Sequence, residues 1–159
     1  MKELHGAAET TVGATPEQCF ELVAAVDRYP SWIPEAIREV EVLRDDSEGR
    51  PTRVRTAVHV SAGPAARDFE LTMDVEFSEH DAVCLTRVPH EPDDPERFEV
   101  VWRIGARPQT RLAIELSATL EVPRFVPVGG VGDRLAQEFI EAAKRELDRS
   151  RANASASSS

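Results

Sequence analysis

Asp68-Phe69-Glu70-Leu71-Thr72-Met73-Asp74-Val75-Glu76-Phe77 carries the strongest structural signal in the chain. Every second residue is apolar, and the residues between are Asp, Glu or Thr. A period of two sustained over this length marks a strand with one buried face and one wet face. Antiparallel sheets tolerate such one-sided cover, whereas parallel sheets are normally buried on both faces.

The same alternation extends outward on both sides. Upstream, Val54, Thr56, Val58 and Val60 alternate with Arg53, Arg55, Ala57 and His59. Before them, Ile37, Val40, Val42 and Leu43 suggest a strand with an irregularity such as a bulge. Downstream, Val83, Leu85 and Arg87 share a face; Phe98, Val100, Trp102 and Ile104 form another; Leu112, Ile114, Leu116, Ala118 and Leu120 form the last. Glu3 to Val12 supplies one leading strand. Thr15-Pro16-Glu17-Gln18 then opens a helix, with Thr15 as cap, Pro16 at the first helical position and Gln18 completing a capping box. Cys19, Phe20, Leu22, Val23 and Val26 follow at helical spacing, and Arg28 to Pro34 is too rich in proline for more than a short helical piece. Pro123 to Gly132 reads as a connection. From Val131 to Arg149 the period returns to helical, with Leu135, Phe139, Ala142, Ala143 and Leu147 on one stripe. Ser150 to Ser159 is small, polar and repetitive, which predicts a disordered tail.

The predicted class is α+β: a curved seven-stranded antiparallel sheet gripping a long C-terminal helix, with two short helices between strands 1 and 2. Residues 1–149 form a single domain and 150–159 the tail. The apolar sheet face must be covered, and the last helix is the only long element available to cover it.

Composition narrows the function. The chain has 159 residues, 41% hydrophobic and 30% charged, which is a globular profile. A net charge of −10 disfavours nucleic acid, whose binding needs clustered Lys and Arg, and also repels anionic membrane surfaces. No apolar run is long enough to cross a bilayer, so stable membrane insertion is not expected. Met1 to His5 carries no apolar signal segment, and Cys19 and Cys84, the only cysteines, form no paired motif; both facts fit the cytoplasm.

Ala14-Thr15-Pro16-Glu17-Gln18-Cys19-Phe20-Glu21-Leu22-Val23, continued by Val26-Asp27-Arg28-Tyr29-Pro30-Ser31-Trp32-Ile33-Pro34, resembles the opening of the START / polyketide cyclase-dehydrase / birch-pollen-allergen-like superfamily (SRPBCC, the helix-grip fold). Gly129 to Leu147 is similar to that superfamily's glycine loop and terminal helix. The resemblance spans roughly residues 3–149 and lies nearest the coenzyme Q-binding protein-like START group. It implies an apolar ligand cavity under the helix. The motifs are structural, and no catalytic signature transfers residue by residue.

The histidines His5, His59, His80 and His90 are scattered, without metal-binding spacing, so no metal is expected. There is no GxSxG elbow, and the serines gather in the tail, so no catalytic residues are assigned. Gly129-Gly130-Val131-Gly132 lacks the context of a phosphate or dinucleotide loop, and no cofactor is expected. Asp68, Glu70, Asp74, Glu76, Glu99 and Glu115 fall on the water face. The expected cavity lining is Val58, Val60, Phe69, Leu71, Met73, Arg87, Val100, Trp102, Ile114, Leu116, Leu135 and Phe139, with Arg87 as an inward polar anchor. An empty apolar pocket of roughly 300 Å³ would cost on the order of 7 kcal/mol, comparable to a domain's whole net stability of about 5–15 kcal/mol. Side chains or a ligand must therefore fill most of the space.

Three functions remain open at this point. The first is non-catalytic binding or transport of a hydrophobic small molecule: a lipid, an isoprenoid quinone or a polyketide-like aromatic. The second is polyketide cyclase, aromatase or dehydratase chemistry, and the third is a protein-interaction module. Ligand identity, oligomeric state and pathway are not encoded in these patterns.

Overall fold

A computed structural model describes residues 2–62, 64–121 and 129–157. Seven strands form one antiparallel sheet: β1 (Lys2–Thr11), β2 (Ile37–Asp45), β3 (Pro51–Ala62), β4 (Ala65–Ser78), β5 (Ala82–Arg87), β6 (Arg97–Gly105) and β7 (Arg111–Leu120). Their order is β1-β7-β6-β5-β4-β3-β2, so consecutive strands pair from β2 to β7, and β1 closes onto β7. The helices are α1 (Pro16–Ala24), a 3₁₀ turn (Val26–Arg28), α2 (Tyr29–Trp32) and α3 (Val131–Ser157). This is the helix-grip arrangement expected from the sequence.

Local chemistry explains the elements. The capping box of α1 is formed: Gln18 N donates to Thr15 Oγ1 at 3.1 Å, and Thr15 N donates to Gln18 Oε1 at 2.9 Å. β2 carries register shifts between Ile37 and Glu39, between Val42 and Arg44, and between Arg44 and Asp45. These are the irregularities its broken alternation implies, and they leave Val42 and Leu43 exposed on the sheet edge. Along β4 the alternation holds: Phe69, Leu71, Met73 and Val75 are buried, whereas Asp68, Glu70 and Glu76 are exposed. Arg53 answers the charged face with a two-point contact to Asp74, at 2.6 and 3.1 Å.

The tail departs from expectation. From Ser150 the sequence reads as disordered, yet α3 continues unbroken to Ser157. No Gly or Pro interrupts Ser150–Ser157, and alanine is the best helix former. The Arg151 guanidinium also packs against Gly13, where a side chain would collide with it. Of the expected connection from Pro123, residues 123–128 lie outside the described residues.

The seat of α3 is a backbone-to-backbone contact. Gly6 in β1 and Gly132 in the first turn of α3 meet so closely that a Cβ on either would overlap the other segment's backbone: the Gly132 carbonyl for Gly6, the His5 carbonyl for Gly132. Asp133 Oδ1 beside them accepts from Ala7 N at 3.1 Å. Glycine is needed here for proximity. We therefore expect Gly132→Ala to lower unfolding stability by about 2 kcal/mol, within the range for overpacked sites. Gly129→Ala, which meets nothing within 4 Å, should cost far less. Urea denaturation of the two variants checks this.

Candidate functional site

The concave face of the sheet and the inner stripe of α3 enclose one apolar core. Val58, Phe69, Leu71, Met73, Val100, Trp102, Ile114, Leu116, Leu135 and Phe139 are all buried in it, and Val60 is packed against it, partly buried. Apart from Tyr29, the two tryptophans and Cys19, Thr56 is the one buried residue with a polar side chain among the described residues, and its hydroxyl donates to Glu39 O at 3.1 Å. The pattern follows from the strand period: once one inward residue of each strand is placed, its neighbours two positions away must follow.

Aromatic rings fill the middle of the chamber. Tyr29 packs edge-on to Trp32 (centroids 5.0 Å), Trp32 to Trp102 (6.3 Å) and Trp102 to Phe139 (6.1 Å). This chain of rings ties α2, β6 and α3 together. The buried Tyr29 hydroxyl donates to Val23 O at 2.5 Å. Burial pushes its pKa far above the ordinary phenol value. The Nε1 groups of Trp32 and Trp102 are buried without a hydrogen-bond partner.

Toward the N-terminal end of α3 the filling is incomplete. A small hollow of about 10 Å³ is bounded by Leu4, Val60, Phe98, Leu116, Ala118 and Leu135. Outside it lies an opening of about 300 Å³ between the free end of β3 and α3, where Arg38, His59, Ser61 and Arg134 meet solvent. Val60 and Leu135 belong to both spaces, so these two side chains stand between the apolar interior and the polar opening. A wider cleft of about 1010 Å³ runs between α1 and the C-terminal half of α3. Glu17, Glu21, Arg50, Glu146 and Arg149 line it, and it is separate from the apolar hollow.

Arg87 does not serve as an inward anchor. It is the last residue of β5, and its guanidinium turns to the following loop, donating to Asp94 Oδ2 at 2.7 Å and Glu96 O at 2.8 Å. That pair is largely enclosed, with side chains 11% and 12% exposed. The Arg87 guanidinium, with the backbone N–H groups of His90 and Glu96, pulls the Asp94 carboxyl down to about 2. Burial pushes the Cys19 thiol the other way, up to about 11. No group of three or more metal-ligating side chains occurs among the described residues, and no helix among them is long and apolar enough to cross a membrane.

With this geometry in view, residues 12–144 match the family described as polyketide cyclase / dehydrase and lipid transport. The chain belongs to that family. Solved structures of the same fold include a START superfamily protein from Mycobacterium smegmatis (TM-score 0.65, 19% identity, covering 92% of this chain and 97% of the other). They also include the Zhui aromatase/cyclase from Streptomyces sp. R1128 (0.68, 16%, 93% and 95%) and the major latex-like protein 151 of Panax ginseng (0.60, 11%, 94% and 97%). At these identities the likeness is one of fold. No curated protein matches the chain at a significant level. In this chain the side chains under α3 are aromatic in the middle, and toward the opening they are aliphatic apart from Phe98.

Two outcomes follow. Asp94 is depressed when folded, so its contribution to stability is complete above the ordinary carboxyl pKa of about 3.9 and is lost as pH falls toward about 2. The stability gap between the wild-type chain and Asp94→Asn should therefore shrink over that window, as read by denaturant midpoints at several pH values. In thiol titration at neutral pH, the native chain should react at half-buried Cys84 and not at Cys19, with both reacting once unfolded.

Proposed function

We propose that this protein binds or carries a hydrophobic small molecule in the space under α3, without performing chemistry on it there. The observation that carries the reading is the apolar hollow, which the side chains of Val60 and Leu135 divide from an opening to solvent. The ligand class is a lipid, an isoprenoid quinone or a polyketide-like aromatic. Predominantly apolar walls favour such molecules through buried area, at about 25 cal/mol per Å² before ordering costs. The hollow is small as it stands, so entry requires Leu135, Val60 and the residues behind them to repack. That suits a site collapsed when empty, since a large dry cavity would cost much of the domain's stability.

The residues we assign to the ligand are Val58, Val60, Phe69, Leu71, Met73, Val100, Trp102, Ile114, Leu116, Leu135 and Phe139, with Val60, Leu116 and Leu135 nearest the opening. A cyclase or dehydratase reading needs a titratable group inside. The described interior offers the Tyr29 phenol, which is tied to Val23 O and held in its neutral form, and this weighs against proton transfer. The net charge of −10 argues against nucleic acid as a partner, and two free cysteines support a reducing cytoplasm.

Native mass spectrometry of freshly purified protein, with displacement of a lipophilic fluorescent probe by lipids and quinones, tests the proposal. A bound apolar species or competitive displacement is expected. An empty protein that no lipid or quinone engages would refute it. Leu135→Ala should bind the probe at least as tightly as wild type while losing about 2–4 kcal/mol of stability, because it widens the gate at the expense of packing.

A further inference from the structure

His59 and Ser61, which line the opening, and Asp68, beside them on the outer face of the sheet, form a hydrogen-bonded chain that the binding reading does not use. His59 Nδ1 lies 2.6 Å from Asp68 Oδ1, and His59 Nε2 lies 3.3 Å from Ser61 Oγ. The sheet brings them together. His59 and Ser61 are two residues apart on one face of β3, and Asp68 stands directly opposite His59 on β4. A carboxylate can only accept, so the imidazole proton belongs on Nδ1. Nε2 is then left as an acceptor facing the serine hydroxyl.

We infer that Ser61, His59 and Asp68 form a nucleophilic triad that hydrolyses esters of apolar carboxylic acids at the mouth of the chamber. Such triads are recognised by geometry and roles, not by sequence order. Ser61 is the nucleophile, His59 the base, and Asp68 a positioning residue that fixes the imidazole tautomer. Backbone geometry supplies an oxyanion donor. His59 N donates at 2.7 Å to Ala36 O on the β2 side of β3, and the paired register of β2 with β3 ends at Ile37 and Val58. N–H groups two residues apart point to the same strand edge, so Ser61 N faces the opening at an edge that β2 no longer covers. Arg38 and Arg134 line the same opening and add donors for the carbonyl oxygen. Glu35 and Glu138 line it too, so what this wall supplies is directed hydrogen bonds, not a net positive field. An acyl chain on the attacked carbonyl would run between Val60 and Leu135.

The step balances with water as the only co-reactant. Ser61 Oγ bonds to the acyl carbon while its proton passes to His59 Nε2. The tetrahedral oxyanion then collapses, breaking the carbon–oxygen bond to the alcohol, which leaves with the proton from His59. Water, deprotonated by His59, attacks the acyl-serine; the acid departs and Ser61 regains its proton. The sum is ester plus water to acid plus alcohol.

The test uses the full chain, an alkyl fluorophosphonate, and p-nitrophenyl esters from acetate to octanoate. Mass spectrometry should find the phosphonyl label on Ser61, and His59→Gln should abolish it. Ser61→Ala, an exposed substitution whose melting temperature should not move, should lower ester turnover at least tenfold. Asp68→Asn should reduce kcat more than it changes KM. An unlabelled folded chain, or equal turnover by Ser61→Ala with the imidazole acting alone, would overturn the triad. A rate that does not rise with acyl length would overturn the apolar-acid assignment. Acetate hydrolysis and labelling need no interior space, so a failure of the binding reading leaves these readouts standing.

Discussion

The close approach of Gly6 to Gly132 sets the geometry on which the remainder rests. It seats the first turn of α3 directly on β1, with no side chain between the two backbones, and Asp133 fastens the pair by accepting from Ala7 N. From that fixed point the helix crosses the concave face and ends beside α1, with Arg151 over Gly13. The sheet is thus closed at its β1 side by backbone contact and at its β3 side by two aliphatic side chains.

Filling follows from that closure. A fixed roof over a curved apolar floor leaves space that must be occupied, because empty apolar volume is costly. Trp32, Trp102 and Phe139 occupy the middle, where α2 reaches the sheet. Near β3 and β7 the residues are smaller, Val60 and Ala118 among them, and there the residual hollow lies. The two unpartnered indole nitrogens belong to the filled region and not to the hollow, so ring packing rather than polar satisfaction holds the middle together. Charge is placed outside: the Asp and Glu side chains that alternate along β4 meet Arg53, Arg55 and His59 from β3 on the wet face.

Much of this was legible in the residue pattern because strand alternation is a local, physical signal. Phe69 to Val75 and Leu112 to Leu120 announce which side is buried, and the capping residues around Thr15 announce a helix that forms as written. Where reading failed, the deciding contact lay elsewhere in the chain. Nothing near Gly6 indicates that Gly132 will touch it, since no periodicity links residues so far apart. Arg87 shares the parity of an inward residue, but it stands at a strand end, where Asp94 could capture it after a turn. The serine-rich tail has the composition of a disordered segment, yet it continues a helix already nucleated upstream, so propagation without new nucleation suffices. Ser61 carries no local motif. Its partners become visible only through the β3–β4 register.

In the function proposed here, a ligand enters the interior between Val60 and Leu135 and nowhere on the charged sheet face. Methyl-detected NMR during titration with a lipophilic ligand addresses it directly. Shifts should concentrate at Val60, Leu116, Ala118 and Leu135, with Val42 and Leu43 on the exposed edge unmoved. Shifts confined to Val42, Leu43 and the outer face, with the chamber methyls silent, would contradict it.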